Sequence, residues 1–248
     1  MQDYPHYVLE TTISDTDLNW MRRVSVAKIC DILQRGATAS AAELGVGMTD
    51  LLKDGHAWMM SALSVAFERM PRAGEKVRLV TWPSGVKGKL LCYRDYEISG
   101  EDGSVIVRGV ADWIHVNIVS RKISWLTPRM MTMAPEGVPR TALAPKEPKP
   151  ATEGDAFTAD ILVRHADVDV NRHVNNVHYI EWLFEPLPDE LSDRDCARLD
   201  IAYRAEARFG DAVESVAWAA DGGAKTVHEL RRKADGQVLV SAVCTWAK

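Results

Sequence analysis

The chain has 248 residues, 46% of them apolar and 26% charged, which is the balance of a globular protein with one or two cores. Its formal net charge of −5 argues against nucleic-acid binding, which would require a basic excess. The sequence shows no signal-peptide pattern and no apolar run of about 20 residues, so we expect a cytoplasmic protein without a membrane span.

The first half of the sequence predicts a strand, a helix and then further strands. Residues 6–14 predict the strand, and apolar residues at helical spacing after Ser25 predict a helix that this serine caps. Asp102-Gly103 predicts a hairpin between two later strands, because this dipeptide accepts the positive φ values of a tight turn. We assign residues 1–134 to this N-terminal domain.

A proline-rich segment follows this half. Six of the eleven prolines lie between Pro128 and Pro150. Proline fixes φ and lacks an amide donor, so we expect an extended connector without regular structure. We place the linker at residues 135–155 and a C-terminal domain at residues 156–248.

The second half predicts the same order of elements. Residues 158–166 predict a strand, and Asn175 or Asn176 is expected to cap a helix with an apolar stripe from Val177 to Leu187. Alternating segments then predict four strands, at residues 197–209, 211–220, 226–234 and 237–246. One helix with a mostly antiparallel sheet, present twice, indicates an α+β fold.

Three short matches between the halves predict an internal duplication. They pair Asp17-Leu18-Asn19 with Asp169-Val170-Asn171, Gly74, Val77 and Trp82 with Gly210, Val213 and Trp218, and Asp102-Gly103 and Trp113 with Asp235-Gly236 and Trp246. The offsets are 152, 136 and 133 residues, which is expected if the first copy has the longer loops.

A polar segment of the second copy is a candidate active site. Asp169, Asn171 and His173 occupy alternate positions ahead of the predicted helix, and alternate residues of an extended chain project to one side. Backbone amides at a helix start can also hold a developing negative charge.

The duplication adds a fourth residue to this candidate site. With the two larger offsets, His173 aligns with Met21 and Glu206 aligns with Met70. We interpret the second copy as the one that retains catalytic side chains, and the first as one in which methionines fill apolar space. Structural roles compete with this interpretation, because asparagine and aspartate commonly stabilise turns and Glu206 alternates with arginines as on a solvated strand.

Other site chemistries have no support in the sequence. There is no Gly-x-Gly-x-x-Gly, P-loop or Gly-x-Ser-x-Gly motif. The four scattered cysteines and the remaining histidines show no metal-ligand spacing. We therefore predict no metal and no cofactor.

Two segments resemble a known family. "DVDVNRHVNNVHYIEWLFEPLP" at residues 167–188 and "YRAEARFGD" at residues 203–211 are similar to the motifs of acyl-acyl-carrier-protein thioesterases of plants and bacteria. The resemblance implies a tandem, or double, hotdog fold in which each half is a long helix wrapped by an antiparallel sheet. It also implies hydrolysis of a fatty acyl thioester.

The resemblance assigns roles residue by residue. The family's Asp-x-Asn-x-His falls on Asp169, Asn171 and His173, and its catalytic glutamate falls on Glu206. Some plant members have a cysteine directly after that glutamate, where this chain has Ala207, so we expect direct attack by water. The expected roles are general base for Glu206 with His173, carbonyl binding for Asn171 and helix-start amides, and orientation for Asp169.

The implied partner is an acidic acyl carrier protein that carries the fatty acyl chain. Candidate basic docking residues are Arg129, Arg140, Lys146 and Lys149, or Lys87 and Lys89, and candidate residues of an acyl pocket in the first copy are Trp58, Met59, Met60, Leu63 and Val65. Three alternatives remain open: an acyl-CoA thioesterase of the same fold, a hotdog-type dehydratase, and a non-catalytic acyl-binding module. A monomer and a homodimer are both compatible with the sequence.

Overall fold

The computed structural model describes residues 4–144, 146–148, 156–170 and 172–247. It divides into two compact units, one formed by Met1–Val24 and Ile29–Pro145 and the other by Ser25–Lys28 and Lys146–Lys248. None of the helices in the described part of the chain has the length and apolarity needed to cross a lipid bilayer.

The first unit is an antiparallel sheet with one long helix. Its strands are β1 (Tyr7–Thr12), β2 (His56–Phe67), β3 (Lys76–Lys87), β4 (Leu91–Ser99), β5 (Val105–Asn117) and β6 (Lys122–Ile123). Its helices are α1 (Val26–Glu43), which belongs to this unit from Ile29 onward, α2 (Met48–Lys53) and α3 (Pro128–Met131). The sheet order is β1-β3-β4-β5-β2, and β6 pairs with β5.

Two glycines allow α1 to lie close to this sheet. A Cβ on Gly36 would overlap the Cδ2 atom of the buried Leu79, and a Cβ on Gly109 would lie 3.2 Å from Leu33 Cδ1. Glycine is unfavourable in the middle of a helix by about 1 kcal/mol relative to alanine, so its presence here reflects packing rather than propensity. The predicted cap is confirmed, because Ser25 Oγ accepts a hydrogen bond from the Lys28 amide at 3.1 Å.

The proline-rich segment contains more structure than predicted. Residues 128–131 form α3, in which Pro128 takes the first helical position and Thr127 Oγ1 accepts from the Met130 amide at 3.3 Å. Met130 is fully buried in the first unit. Further on, the Pro139 carbonyl accepts from Trp82 Nε1 at 2.9 Å. Proline excluded a helix interior here but did not exclude a helix start.

The second unit has the same order of elements. Its strands are β7 (Ala156–Leu162), β8 (Cys196–Tyr203), β9 (Ala212–Ala220), β10 (Lys225–Arg232) and β11 (Val238–Trp246), and its helices are α4 (Asn176–Phe184) and α5 (Asp189–Ser192). The sheet order is β8-β11-β10-β9-β7, which matches β2-β5-β4-β3-β1. Helix α4 ends before Leu187, so the predicted stripe was one turn too long.

Backbone hydrogen bonds correct the first repeat offset. Bridges pair Leu18 with Val24 and Val168 with Val174, and both loops contain an arginine with φ near +60° at equivalent places. The offset is therefore 150 residues here, not 152. His173 corresponds to Arg23 rather than Met21, because Asp167 is the true counterpart of Asp17.

The second offset is correct. The Gly74 amide donates to the Ile13 carbonyl at 2.8 Å, and the Gly210 amide donates to the Val163 carbonyl at 3.1 Å. Both glycines have φ between +80° and +86°. The 136-residue offset therefore holds at this loop, and Glu206 is the counterpart of Met70.

The close approach at Gly36 predicts a stability effect. Gly36→Val should lower the free energy of unfolding by about 1–3 kcal/mol, because two added branches meet the buried Leu79 and outweigh the small gain in helix propensity. Urea denaturation measures this change. Thr38→Val places the same side chain on the exposed face of α1 and should change stability little. Equal effects of the two variants would contradict the packing argument.

Candidate active site

The histidine loop, residues 164–175, joins β7 to α4 and contains three of the predicted site residues. The amide of Asp169 donates to the carbonyl of His173 at 2.8 Å, and the carboxylate of Asp169 accepts from the His173 amide at 3.3 Å. Asp169 therefore holds the backbone of His173. Asn171 lies outside the described residues.

Asp167 holds together the two ends of the histidine loop. Only 1% of Asp167 is exposed, and its carboxylate accepts from the Arg164 amide at 2.7 Å, from Nη2 at 3.0 Å and from Nε at 3.2 Å. Burial alone would raise the pKa of Asp167, but the hydrogen bonds from Arg164 outweigh it and hold the pKa below its usual value. The Asp167 carbonyl also accepts from the Asn175 amide at 3.0 Å, which joins Asp167 to the start of α4.

The glutamate loop, residues 204–211, joins β8 to β9 and contains Glu206. The alternation of charges predicted a strand through this position, but β8 ends at Tyr203. The Arg208 amide instead donates to the Asp211 carboxylate at 3.0 Å within a turn. The strand prediction was wrong here because a polar turn can alternate in charge as a solvated strand does.

The two loops bring the side chains of His173 and Glu206 together. Nε2 of His173 lies 3.3 Å from Oε2 of Glu206, and each side chain is 24% exposed. The Val174 amide donates to the Ala207 carbonyl at 3.1 Å, so the backbones are joined beside the same two residues. A carboxylate and an imidazole that are partly open to solvent can accept a proton from a water molecule.

The start of α4 is capped within the protein. Asn175 Oδ1 accepts from the Val177 amide at 3.2 Å, as predicted for this residue, and the Asn175 carbonyl accepts from the His178 amide at 3.0 Å. The amides of Val174 and Asn175 donate to the glutamate loop and to Asp167. These four amides already have acceptors, so the expectation that helix-start amides hold an oxyanion is wrong for them.

Two residues that the sequence did not single out hold the glutamate loop. Tyr179 Oη accepts from the Ala207 amide at 2.7 Å, and Arg232 Nη1 donates to the Glu206 carbonyl at 3.2 Å. Tyr179 lies on the buried face of α4, where burial raises its pKa to about 12. Neither residue has a sequence signal, because a tyrosine in an apolar stripe and an arginine at a strand end are both common.

Three other titratable side chains of the second unit, those of His228, Cys196 and Cys244, are buried in the protein interior. His228 is buried with Nδ1 2.8 Å from the Leu183 carbonyl, and burial lowers its pKa to about 4, so its imidazole is neutral. The buried thiols of Cys196 and Cys244 lie 3.2 Å from each other on neighbouring strands. Within the ranges that the structure describes, no three His, Cys, Asp or Glu side chains are grouped as metal ligands.

Family models match both halves of the chain. The model described as acyl-ACP thioesterase N-terminal domain matches residues 6–133, and the model described as acyl-ACP thioesterase C-terminal domain matches residues 151–248. Acyl-[acyl-carrier-protein] hydrolase FATB3, chloroplastic, of Cuphea viscosissima is 26% identical over 229 residues, which are 87% of this chain and 55% of that relative. The chain spans about half the length of the curated relatives it matches.

Two solved structures have the same fold over the whole chain. An acyl-ACP thioesterase from Bacteroides thetaiotaomicron is 23% identical with a TM-score of 0.86, covering 98% of each chain. The 12:0-ACP thioesterase from Umbellularia californica is 21% identical with a TM-score of 0.86, covering 98% of this chain and 97% of that one. These likenesses confirm the predicted double hotdog fold.

The lowered pKa of Asp167 predicts a stability difference that depends on pH. Relative to Asp167→Asn, the wild type should be more stable above about pH 4, where the carboxyl is ionised in both folded and unfolded chains. The difference should shrink as the pH falls below that value, because the unfolded chain takes up the proton first, and it should vanish once the pH passes the lower folded-state pKa.

Urea denaturation of both proteins over a pH series measures this difference. Asp54→Asn, at an exposed carboxyl, controls for the loss of one charge. A wild-type advantage that grows as the pH falls would contradict the assigned direction of the pKa shift.

Proposed function

The chain belongs to the acyl-ACP thioesterase family, and from this premise we propose that it hydrolyses the thioester of fatty acyl-acyl carrier protein and releases a free fatty acid. The observation that supports this proposal is the distance of 3.3 Å between His173 Nε2 and Glu206 Oε2, on two side chains that are each 24% exposed. Ala207 provides no thiol next to Glu206, which favours water as the nucleophile.

In the proposed reaction, Glu206 acts as general base with His173. The Glu206 carboxylate takes a proton from a water molecule, whose oxygen attacks the thioester carbonyl carbon. Collapse of the tetrahedral intermediate breaks the carbon–sulfur bond, and the proton passes to the departing thiolate. His173 orients the carboxylate and shares the proton, and Asp169 holds the backbone of His173. We assign binding of the substrate carbonyl to Asn171.

We propose that the two copies divide the work. Residues 156–248 would supply the chemistry, residues 1–134 the acyl pocket, and residues 135–155 the linker between them. Among the pocket candidates on β2, Met60, Leu63 and Val65 are buried, while Trp58 packs against a buried apolar cluster. That cluster consists of Val46, Leu51, Cys92, Leu126, Met130 and Met133. Apolar side chains of this kind suit a fatty acyl chain.

The candidate docking residues differ in how they are engaged. Arg140 lies 3.2 Å from the buried carboxylate of Asp95, and Arg129 Nε donates to the Leu44 carbonyl at 2.8 Å, so both have structural partners. Lys149 lies outside the described residues. Lys87 and Lys89 are exposed, and Lys89 Nζ lies 5.2 Å from the ring centroid of Trp125, which is 71% exposed.

Exposed cations beside an exposed aromatic side chain suit an acidic protein partner. Several large apolar side chains in the β3–β4 turn, in the β5–β6 turn and in β6 are also exposed, namely Leu90, Ile118, Val119 and Ile123. Residues 85–94 and 113–130 contain no acidic residue, although the whole chain has a net charge of −5. We therefore assign carrier docking to the surface around Lys87, Lys89 and Trp125.

The proposed general base predicts a loss of activity. Glu206→Gln should lower kcat for acyl-carrier-protein hydrolysis by about 10²–10⁴-fold, because it removes the proton acceptor and keeps the shape. Thiol release from carrier substrates of several chain lengths measures this. Glu181→Gln is the matched control, since Glu181 lies 2.7 Å from His178 in a second His–Glu pair of the same unit.

The outcomes of this assay distinguish the assigned base, the carrier partner and the catalytic function itself. Retention of full activity by folded Glu206→Gln would refute the assigned base. Release from acyl-CoA but not from carrier substrates would keep the chemistry and replace the partner. No release from either substrate by the folded wild type would favour a non-catalytic acyl-binding module.

The docking surface predicts a change in KM. Lys87→Glu combined with Lys89→Glu should raise KM for the carrier substrate by about tenfold or more, because like charges then face each other, and should leave acyl-pantetheine hydrolysis unchanged. Lys53→Glu changes an exposed lysine of α2 and serves as the control. An unchanged KM in the double variant would place carrier docking elsewhere.

A further inference from the structure

The peptide bond between Glu206 and Ala207 is held at both of its polar ends. Its carbonyl oxygen, on Glu206, accepts from Arg232 Nη1 at 3.2 Å. Its amide, on Ala207, donates to Tyr179 Oη at 2.7 Å. Fixing both ends fixes the plane of the peptide, and this plane sets the direction in which the Glu206 side chain leaves the backbone.

Arg232 connects this peptide to the sheet. It is the last residue of β10, and its Nε lies 3.1 Å from Asp235 Oδ1 in the hairpin that leads to β11. Its Nη1 also lies 3.7 Å from Asp211 Oδ2, at the end of the glutamate loop. The guanidinium therefore links the loop to the sheet through oxygen atoms of three residues.

In the first copy, an arginine at a different position in the sequence contacts the equivalent carbonyl. Arg69 Nη1 donates to the Met70 carbonyl at 3.3 Å, and Arg69 Nη2 lies 2.7 Å from Glu75 Oε1. Met70 and Glu75 are the counterparts of Glu206 and Asp211, so the same two acceptors are bridged. Arg69 is adjacent to Met70 in the chain, however, whereas Arg232 reaches the Glu206 carbonyl from the end of β10.

The amide side of the arrangement exists only in the second copy. The 136-residue offset places Pro71 opposite Ala207, and proline has no amide hydrogen to donate. The 150-residue offset places Ile29 opposite Tyr179, since α1 and α4 begin at equivalent residues. The first copy thus has two apolar residues, Ile29 and Pro71, at the positions where Tyr179 and Ala207 form a buried hydrogen bond in the second.

We propose that Tyr179 and Arg232 are positioning residues that hold the Glu206–Ala207 peptide and thereby set the approach of Glu206 to His173. The proposal rests on the proposed function and assigns neither residue a contact with substrate. The Ala207 carbonyl, which accepts from the Val174 amide, extends the same arrangement to the histidine loop.

A pair of matched variants separates positioning from stability. Arg232→Gln and Arg69→Gln each remove a guanidinium from a carbonyl and an acid, so both should lower the melting temperature. Only Arg232→Gln should lower kcat, by about 10–100-fold with KM nearly unchanged, because a small displacement of a reacting group is costly. Equal kcat losses in both variants, or an unchanged kcat in Arg232→Gln, would overturn the proposal.

A double variant tests whether Arg232 acts through the Glu206 side chain. Once Glu206→Gln has removed the base, adding Arg232→Gln should lower kcat no further. Multiplying losses in the double variant would show an independent role and overturn the proposal.

The amide side can be tested without substrate, so its result is independent of the proposed function. Tyr179→Phe should remove the acceptor of the Ala207 amide and increase its hydrogen exchange, read by NMR, while the fold is kept. Unchanged protection of this amide would overturn the proposal. A wild type that protects the Ala207 amide but hydrolyses no thioester would refute the proposed function alone.

Discussion

The hydrogen bond from the Val174 amide to the Ala207 carbonyl is the contact on which the candidate site depends. It joins two loops that are 33 residues apart in the chain, and each contributes one reactive side chain next to the joined residue. The 3.3 Å approach of His173 to Glu206 is thus a consequence of backbone geometry. A contact between an imidazole and a carboxylate that are both partly exposed is too weak to order two loops by itself.

The two units show which features the fold requires and which the chemistry requires. Both keep the bridge-closed loop before the helix, the positive φ of its arginine and the glycine that ends the second loop. These belong to the backbone, and they persist where the side chains have diverged. The two copies also differ at the positions that hold or form the reactive pair, where the second copy has His173, Glu206, Ala207 and Tyr179 and the first has Arg23, Met70, Pro71 and Ile29.

Features that depend on neighbouring residues, such as helix caps, were predictable from the sequence. Features that depend on contacts between residues far apart in the chain were not. The caps at Ser25 and Asn175 were found because a cap requires one polar residue next to an apolar stripe. The 152-residue offset was wrong because Asp-x-Asn recurs two positions away from the true match, and only the hydrogen bonds of each loop reveal the correct register. Glu206 was predicted to lie on a strand for a similar reason. Alternating charges show which way side chains point, but they do not show whether the backbone is hydrogen-bonded to a neighbouring strand. Tyr179 contacts the backbone of Ala207 and Arg232 that of Glu206, both from distant parts of the chain, so no local pattern could have identified them.

The surroundings of Ala207 also agree with the proposal that water is the nucleophile. Ala207 is fully buried, with its amide directed to Tyr179 and its carbonyl to Val174, so its backbone serves as a support and its side chain points into packed protein. On these two loops, His173 and Glu206 are partly exposed side chains whose polar atoms approach to 3.3 Å. Neither needs to form a covalent bond to activate a water molecule, whereas both must be held at a fixed separation to share its proton. The proposed general-base hydrolysis would require both rigid backbone support and two partly exposed proton acceptors.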